Sequence, residues 1–266
     1  MIQHTEKNIP LWRFEHLLQH EEISHYVSSR EGGVSAGNYA TLNLGYTSGD
    51  VQESVDENRN RLATALGITD NNLVFPQQIH SSNIYLISDT ENIQGKIRET
   101  DGLLTQKPGL YLSVLTADCV PVIFFDPAVK AIGVAHAGWR GTVQNITGKM
   151  IDRFMEEFNS NPVDILAGIG PSIGPEVYEV GTNVIEAVHK QFGDNAKYLL
   201  REKGSGKAYL DLWKANRIQL EGKGVPANHI ETAAICTYTN YIQFFSARRL
   251  GIQCGRFGAG IMLKTE

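Results

Sequence analysis

Three short apolar segments, residues 110–116, Val120–Asp126 and residues 129–135, follow one another almost without interruption and are the most hydrophobic part of the chain. Near-continuous apolar runs of this length, separated only by turns, fit strands covered on both faces rather than strands with one wet face. They predict a central sheet, and the turns between them sit on a rigid scaffold. The first turn carries Cys119 within Leu115-Thr-Ala-Asp-Cys-Val-Pro-Val122, and the last segment runs into Val134-Ala-His-Ala-Gly-Trp-Arg-Gly-Thr142 with His136. A thiol and an imidazole, each able to bind a metal or act in nucleophilic catalysis, are therefore expected close together. His80, in Pro76-Gln-Gln-Ile-His80, is the third candidate.

Around this centre the periodicity alternates between strand and helix. Asp50 with Glu53 resembles a capping box, and Val51, Val55, Leu62 and Leu66 then recur at helical spacing until Gly67, which predicts a helix over residues 51–66. Arg59 falls on its apolar face and calls for a partner, or for a stem that covers the core edge while the head reaches water; Arg61 points outward. A strand is expected over residues 83–88. After Gly141, Val143, Ile146, Met150, Ile151, Phe154 and Phe158 mark one face of an amphipathic helix, so His136 is placed between a strand and a helix. Residues 163–169 read as a buried strand ending in Gly170-Pro-Ser-Ile-Gly-Pro175. Helices over Thr182–Phe192 and residues 212–221, and strands over residues 230–236, 242–246 and Phe257–Leu263, complete an α/β pattern.

Nothing in the 266 residues reads as a linker or a repeat, so residues 1–266 are taken as one domain, with residues 1–23 as an N-terminal extension. A formal net charge of −5 argues against a nucleic-acid partner and favours small molecules. The first fourteen residues lack the apolar run of a signal peptide, and no stretch is long and apolar enough for a membrane span, so the expected location is the cytoplasm. Three cysteines at irregular spacing suit reduced thiols. Cys236 and Cys254 are assigned to packing.

Three chemistries compete for His80, Cys119 and His136. Two nitrogens and a sulfur with a fourth position open is the composition of a catalytic zinc site, although the wide sequence spacing carries little signal of its own. The same donors match a trigonal copper site, but the eight histidines contain no His-x-His pair, which weakens a multicopper reading. Without a metal, Cys119 as nucleophile and His136 as base would make a hydrolase or amidase. Asp118 neighbours Cys119, but adjacent residues of an extended chain point to opposite faces, so it is assigned to substrate or to supporting contacts. Gly138-Trp-Arg-Gly-Thr142 opens a helix, whose free N–H groups together with Arg140 suit an anion; a plain turn capped by Thr142 is the competing reading. Arg248, Arg249 and Arg256 are read as solvated surface charge, and Phe244 and Phe245 as core. His16 and His20 are read as solvated.

The motifs Thr41-Leu-Asn-Leu-Gly45, Glu57-Asn-Arg59, Gln78-Ile-His80, Thr116-Ala-Asp-Cys-Val-Pro121, His136-Ala-Gly-Trp-Arg-Gly141, Gly170-Pro-Ser-Ile-Gly-Pro175 and Tyr178-Glu-Val-Gly181 belong together. The chain carrying them resembles the laccase-domain, YfiH-like family, named for multicopper polyphenol oxidases and regarded as purine nucleoside phosphorylases that also deaminate adenosine. The resemblance runs from about residue 24 to the C-terminus. It implies a layered α/β domain, a mixed central sheet flanked by helices, similar to the deamidase domain of cytotoxic necrotising factor toxins. It implies one catalytic Zn2+ on His80, Cys119 and His136, with Cu2+ as the alternative ion. Asn43, Arg59, Asp118 and Arg140 are the implied phosphate and substrate residues. The implied reaction cleaves adenosine, inosine or 5′-methylthioadenosine with inorganic phosphate to the free base and ribose 1-phosphate or its methylthio analogue, in a monomer or homodimer. A copper-dependent phenol oxidase, a metal-free Cys-His hydrolase and a noncatalytic purine-binding module are the alternatives. The C-terminal region departs from the family pattern: Phe244-Phe-Ser-Ala-Arg-Arg-Leu250 stands where Phe-Phe-Ser-Tyr-Arg-Arg-Asp is expected, and Cys254-Gly-Arg-Phe257 where Thr-Gly-Arg-Met is expected.

Overall fold

Val120–Asp126 and Ala131–Ala137 pair antiparallel along their whole length, with Pro121 opposite His136, and every residue of both strands is buried. That is why their sequences are apolar at successive positions instead of alternating. In the computed structural model, which describes residues 1–89 and 97–265, this pair is the middle of a six-stranded sheet. Its order is Ile230–Thr232, Leu166–Ile169, Val120–Asp126, Ala131–Ala137, Gly102–Thr105, Ile84–Leu86. A second six-stranded sheet runs Ile2–Glu6, Ile9–Arg13, Ile23–Ser28, Phe257–Leu263, Tyr111–Thr116, Leu73–Val74. Both are mixed, being antiparallel inside with parallel pairs at their edges.

The two-residue period of a strand sorts the side chains into layers. Ile123, Phe125, Ile132 and Val134 meet Leu112, Val114, Ala259 and Ile261 of the other sheet in one buried cluster. On the opposite face Val122, Phe124 and Ala135 pack with Ile146, Met150 and Phe154 of the helix Ile146–Phe158 and with Ala215 and Leu220 of the helix Leu212–Gly222. Behind the other sheet, Tyr26, Tyr111 and Met262 pack on Leu62 and Ala63 of the helix Gln52–Leu66. The result is helix, sheet, sheet, helices, the α/β layering expected of the family. A small third sheet, Glu179–Gly181, Lys207–Leu210 and Leu200–Gly204, stands beside it. Among the described residues no helix is long and apolar enough to cross a membrane.

Several expected boundaries move for identifiable reasons. The strand expected over 129–135 lies two residues later, so His136 is inside the strand rather than after it. The helix expected after Gly141 is two helices, Trp139–Val143 and Ile146–Phe158, broken where Asn145 takes a left-handed conformation. The Asp50 capping box does not form: one carboxylate oxygen accepts from Val51 N–H, and the other from Ser35 Oγ and Asn43 Nδ2. The expected strand over 242–246 is a turn, closed by Gln243 and Phe244 N–H groups donating to Asn240 O. A strand would send adjacent rings to opposite faces, whereas Phe244 and Phe245 both enter the core between the sheets. The ladder at residues 230–236 stops at Thr232, and that at 163–169 begins only at Leu166, after a tight turn in which Asn161 accepts from Val163 N–H.

Candidate metal centre and its cavity

The chain leaves Tyr111–Thr116 in one sheet and enters Val120–Asp126 in the other through only Ala117, Asp118 and Cys119. So short a crossing pins Cys119 at the end of the sheet sandwich. Asp118 makes the bend with φ 88°, and Thr116 Oγ1 donates to Cys119 O at 2.5 Å. His136 arrives next to it on the neighbouring strand, opposite Pro121. His80 comes from the irregular segment between Leu73–Val74 and Ile84–Leu86, also in a left-handed conformation, with φ 62°. The structure thus gathers all three expected residues: one donor atom from each of His80, Cys119 and His136 lies within 4.8 Å of the others. The two imidazole rings meet edge to face, with centroids 4.9 Å apart. Gly138 is required beside them, because a Cβ there would sit 2.8 Å from Cys119 Sγ.

The residue that organises the trio is Asp101, which sequence reasoning missed. Fully buried, it accepts from His136 Nδ1 at 2.8 Å and from His80 N–H at 3.0 Å through one oxygen. Its other oxygen accepts from the N–H groups of Ile79 and Ser81 and from Ser81 Oγ. One carboxylate therefore shapes the His80 turn and fixes the His136 tautomer, leaving Nε2 as the nitrogen free to bind. A single acid before the strand Gly102–Thr105 carries no motif; only the pairing of that strand with Ala131–Ala137 reveals it.

Electrostatics follow from this packing. Burial alone would push the Cys119 thiol up, but the adjacent His136 and His80 outweigh it and hold the thiol down at about 6. Burial opposes charge on His136 too, yet Cys119 and Asp101 raise it to about 9. For Asp101 the cost of burial is overcome by His136 and Ser81, which hold it at about 2. Without an ion these shifts favour a thiolate beside an imidazolium; a soft divalent cation would bind the thiolate and take the place of the proton on His136 Nε2. Two nitrogens, one sulfur, an outer carboxylate on a ligating imidazole and a side open to solvent fit a catalytic zinc or copper position better than a closed structural one.

That open side is a cavity of about 1160 Å³. Arg59 and Asp118 line it. Arg59 is clamped: Nε and Nη2 donate to Leu44 O at 3.0 and 2.8 Å, and the guanidinium lies 4.1 Å from the Tyr46 ring centroid and 4.5 Å from that of Phe75. Burial makes its charge costly and lowers its pKa. Among the described residues no carboxylate forms a salt bridge with it. Asp118 accepts from Thr237 Oγ1 and from Arg248 N–H, both at 2.7 Å.

Asn43 and Arg140 are placed elsewhere. Asn43 is fully buried, and its amide is consumed by Gly45, Ser48, Asp50 and the N–H of Arg256, so it builds the loop that presents Leu44 to Arg59. Arg140 is exposed, 4.6 Å over the ring of Trp139, and only Trp139 reaches the cavity wall. The reading of Arg248 and Arg256 as mere surface charge is corrected, since both line the cavity; Arg249 stays on the rings of Tyr238 and Tyr241. Their sequence cluster was visible, but its side of the fold was not.

Fold and centre define a layered α/β protein with an open two-histidine, one-cysteine site at the end of its sheet sandwich. The chain belongs to the family described as multi-copper polyphenol oxidoreductase laccase, whose pattern matches residues 24–264. A relative from Bacteroides thetaiotaomicron, named purine nucleoside phosphorylase, is 42% identical over 94% of this chain and 95% of its own length. A protein from an unknown prokaryotic organism, named adenosine deaminase RL5, is 37% identical over 89% of this chain and 93% of its own. Among solved structures, YlmD from Geobacillus stearothermophilus superposes with a TM-score of 0.87 at 34% identity, covering 92% of this chain and 93% of that one. The YfiH protein of Bacillus licheniformis reaches a TM-score of 0.90 at 33% identity, covering 96% of each chain.

Proposed function

We propose that this protein is a zinc-dependent purine nucleoside phosphorylase that cleaves adenosine, inosine and 5′-methylthioadenosine with inorganic phosphate, with adenosine deamination as a side activity. The observation that carries the reading is the placement of the His80, Cys119 and His136 donors in one cavity with Arg59, a clamped cation that forms no salt bridge with an acidic residue among the described residues. The relatives' names supply the substrate class. His80, Cys119 and His136 would hold the ion, which supplies a positive charge that polarises a bound substrate. Asp101 holds the His136 ring and the His80 turn in place for it.

Arg59 binds phosphate with its remaining guanidinium edge and orients it for attack on C1′, where an arginine fork matches phosphate geometry. Asn43 acts indirectly by holding the loop behind Arg59. Asp118 fixes the backbone of Arg248 at the cavity wall, and Arg140, exposed over Trp139 outside the wall, acts on the cavity only through its long-range positive charge. The cavity volume accommodates a nucleoside and phosphate together. A multicopper oxidase would need several such centres; among the described residues His80, Cys119 and His136 are the one group of three or more donors.

A second reading has its own support: Cys119, His136 and Asp101 form a thiol, base and orienting carboxylate, the arrangement of a metal-free cysteine hydrolase. One experiment separates the two. Protein purified without added metal is analysed for zinc and copper, then assayed for phosphate-dependent release of adenine and hypoxanthine before and after chelation. Stoichiometric zinc with phosphate-dependent release, lost on chelation, is the expected result. Zinc without such release would sink the phosphorylase reading, and base release that needs neither phosphate nor the metal would move the assignment to the hydrolase.

A further inference from the structure

A phenol on the cavity wall is used neither by the metal-binding trio nor by Arg59. Tyr178 lines the cavity together with Cys119 and Asp118, and its hydroxyl has no hydrogen-bond partner among the described residues. The residue is held from several directions. Its N–H donates to Gly174 O at 3.1 Å, and its carbonyl accepts from Leu210 N–H at 3.0 Å, which docks it against the small third sheet. Over its ring, 5.1 Å from the centroid, lies the guanidinium of Arg248. Arg248 is itself tied at both ends: its N–H donates to Asp118 Oδ2 at 2.7 Å, and Nη1 donates to Glu179 O at 2.9 Å. The backbone bonds fix where the side chain leaves the chain, and the Arg248 guanidinium covers one face of the ring, so the phenol is held on the cavity wall as a preorganised donor requires.

From this geometry we infer that Tyr178 is a catalytic hydrogen-bond donor to the purine leaving group, acting at N7 as the glycosidic bond breaks. In that step the C1′–N9 electron pair passes to the purine, a phosphate oxygen forms the new bond to C1′, and the proton of hydrogen phosphate ends on the released base. Tyr178 keeps its own proton throughout. The role supplies what the trio and Arg59 lack, a neutral donor aimed at developing negative charge on the base.

The inference rests on the phosphorolysis reading and is tested with two substrates that separate the two. Inosine has a free N7 lone pair; 7-methylinosine carries a methyl group and a positive charge there, so its base leaves without help. In zinc-loaded Tyr178→Phe, kcat/KM for inosine is expected to fall about 100-fold, the effect of removing one preorganised donor, with 7-methylinosine phosphorolysis held within about threefold of wild type. Unchanged rates on both substrates, or equal losses on both, would overturn the role of Tyr178 alone, the second outcome marking a structural residue. A wild-type protein inactive on both substrates in phosphate overturns the phosphorylase reading, and this role with it.

Discussion

Asp101 and His136 are joined twice: the His136 Nδ1–H donates to the Asp101 carboxylate at 2.8 Å, and the His136 backbone N–H donates to the Asp101 carbonyl at 2.7 Å. The second bond continues the strand ladder one residue beyond Gly102 and the first belongs to the site, so the sheet register sets where the imidazole meets its carboxylate. Because the same carboxylate accepts from Ile79, His80 and Ser81 N–H groups, ring and turn are fixed by one side chain.

Asp101→Asn is therefore expected to weaken the metal centre without removing a ligand. The amide loses the charge that favours a ligating imidazole, and it can reproduce only part of the five-bond pattern. Metal affinity should fall about 10- to 100-fold, as read by competition with a chelator of known affinity. An unchanged affinity would return Asp101 to a purely structural role.

Gly138→Ala tests the cradle from the other side. Its backbone has an ordinary φ of −65°, so alanine is penalised by contact and not by conformation. The added methyl would stand 2.8 Å from Cys119 Sγ and 3.4 Å from His80 Cδ2. Overpacking of this kind costs about 1–3 kcal/mol, and here the cheapest relief moves two donors. Lower zinc stoichiometry together with a depressed melting temperature is expected; full zinc content at an unaltered melting temperature would show that the site is more plastic than its packing implies.

For Arg59 the two substitutions Arg59→Ala and Arg59→Lys separate charge from shape. Both break the paired donation to Leu44 O and the double stacking on Tyr46 and Phe75, but lysine keeps the cation. Loss of a charged hydrogen bond to phosphate predicts a phosphate KM higher by about 10- to 100-fold in Arg59→Ala, with zinc content retained. Lysine should recover only part of this. A phosphate KM that does not move in Arg59→Ala would leave Arg59 as the anchor of the Leu44 loop and nothing more.

These residues also mark what the sequence makes legible. The three apolar runs disclose the sheet, because burial on both faces leaves no polar alternation, and the two turns around them disclose Cys119 and His136. His80 enters through its motif. Asp101 stays hidden for a physical reason: its role comes from strand register, which leaves no local pattern. Tyr178 stands in a motif, Tyr178-Glu-Val-Gly181, but its place on the cavity wall depends on the docking of a separate small sheet. Asn43 misleads in the opposite direction. Its motif is distinctive, yet every polar atom of the side chain is spent inside the loop. Phe244 and Phe245 misread as strand because apolar content alone cannot tell a ladder from a turn that drives both rings inward.

His25 sets a limit on acid stability away from the site. It is buried at 2% exposure in the strand Ile23–Ser28, where Nε2 accepts from Phe14 N–H at 2.8 Å, a bond available only to the neutral ring. Burial, followed by the charges of Arg13 and His16, lowers its pKa to about 3. The unfolded chain takes up a proton near the usual histidine value of about 6.5 while the folded chain refuses it until far lower pH. Its contribution is thus fully present above about pH 6.5 and is lost as the pH falls toward 3, at up to about 1.4 kcal/mol per pH unit. His25→Gln keeps an acceptor for Phe14 but cannot be protonated in this range. Urea unfolding at pH 7, 6 and 5 should show wild type losing stability faster than the variant; parallel losses in the two proteins would mean that carboxylates, not His25, govern this limb.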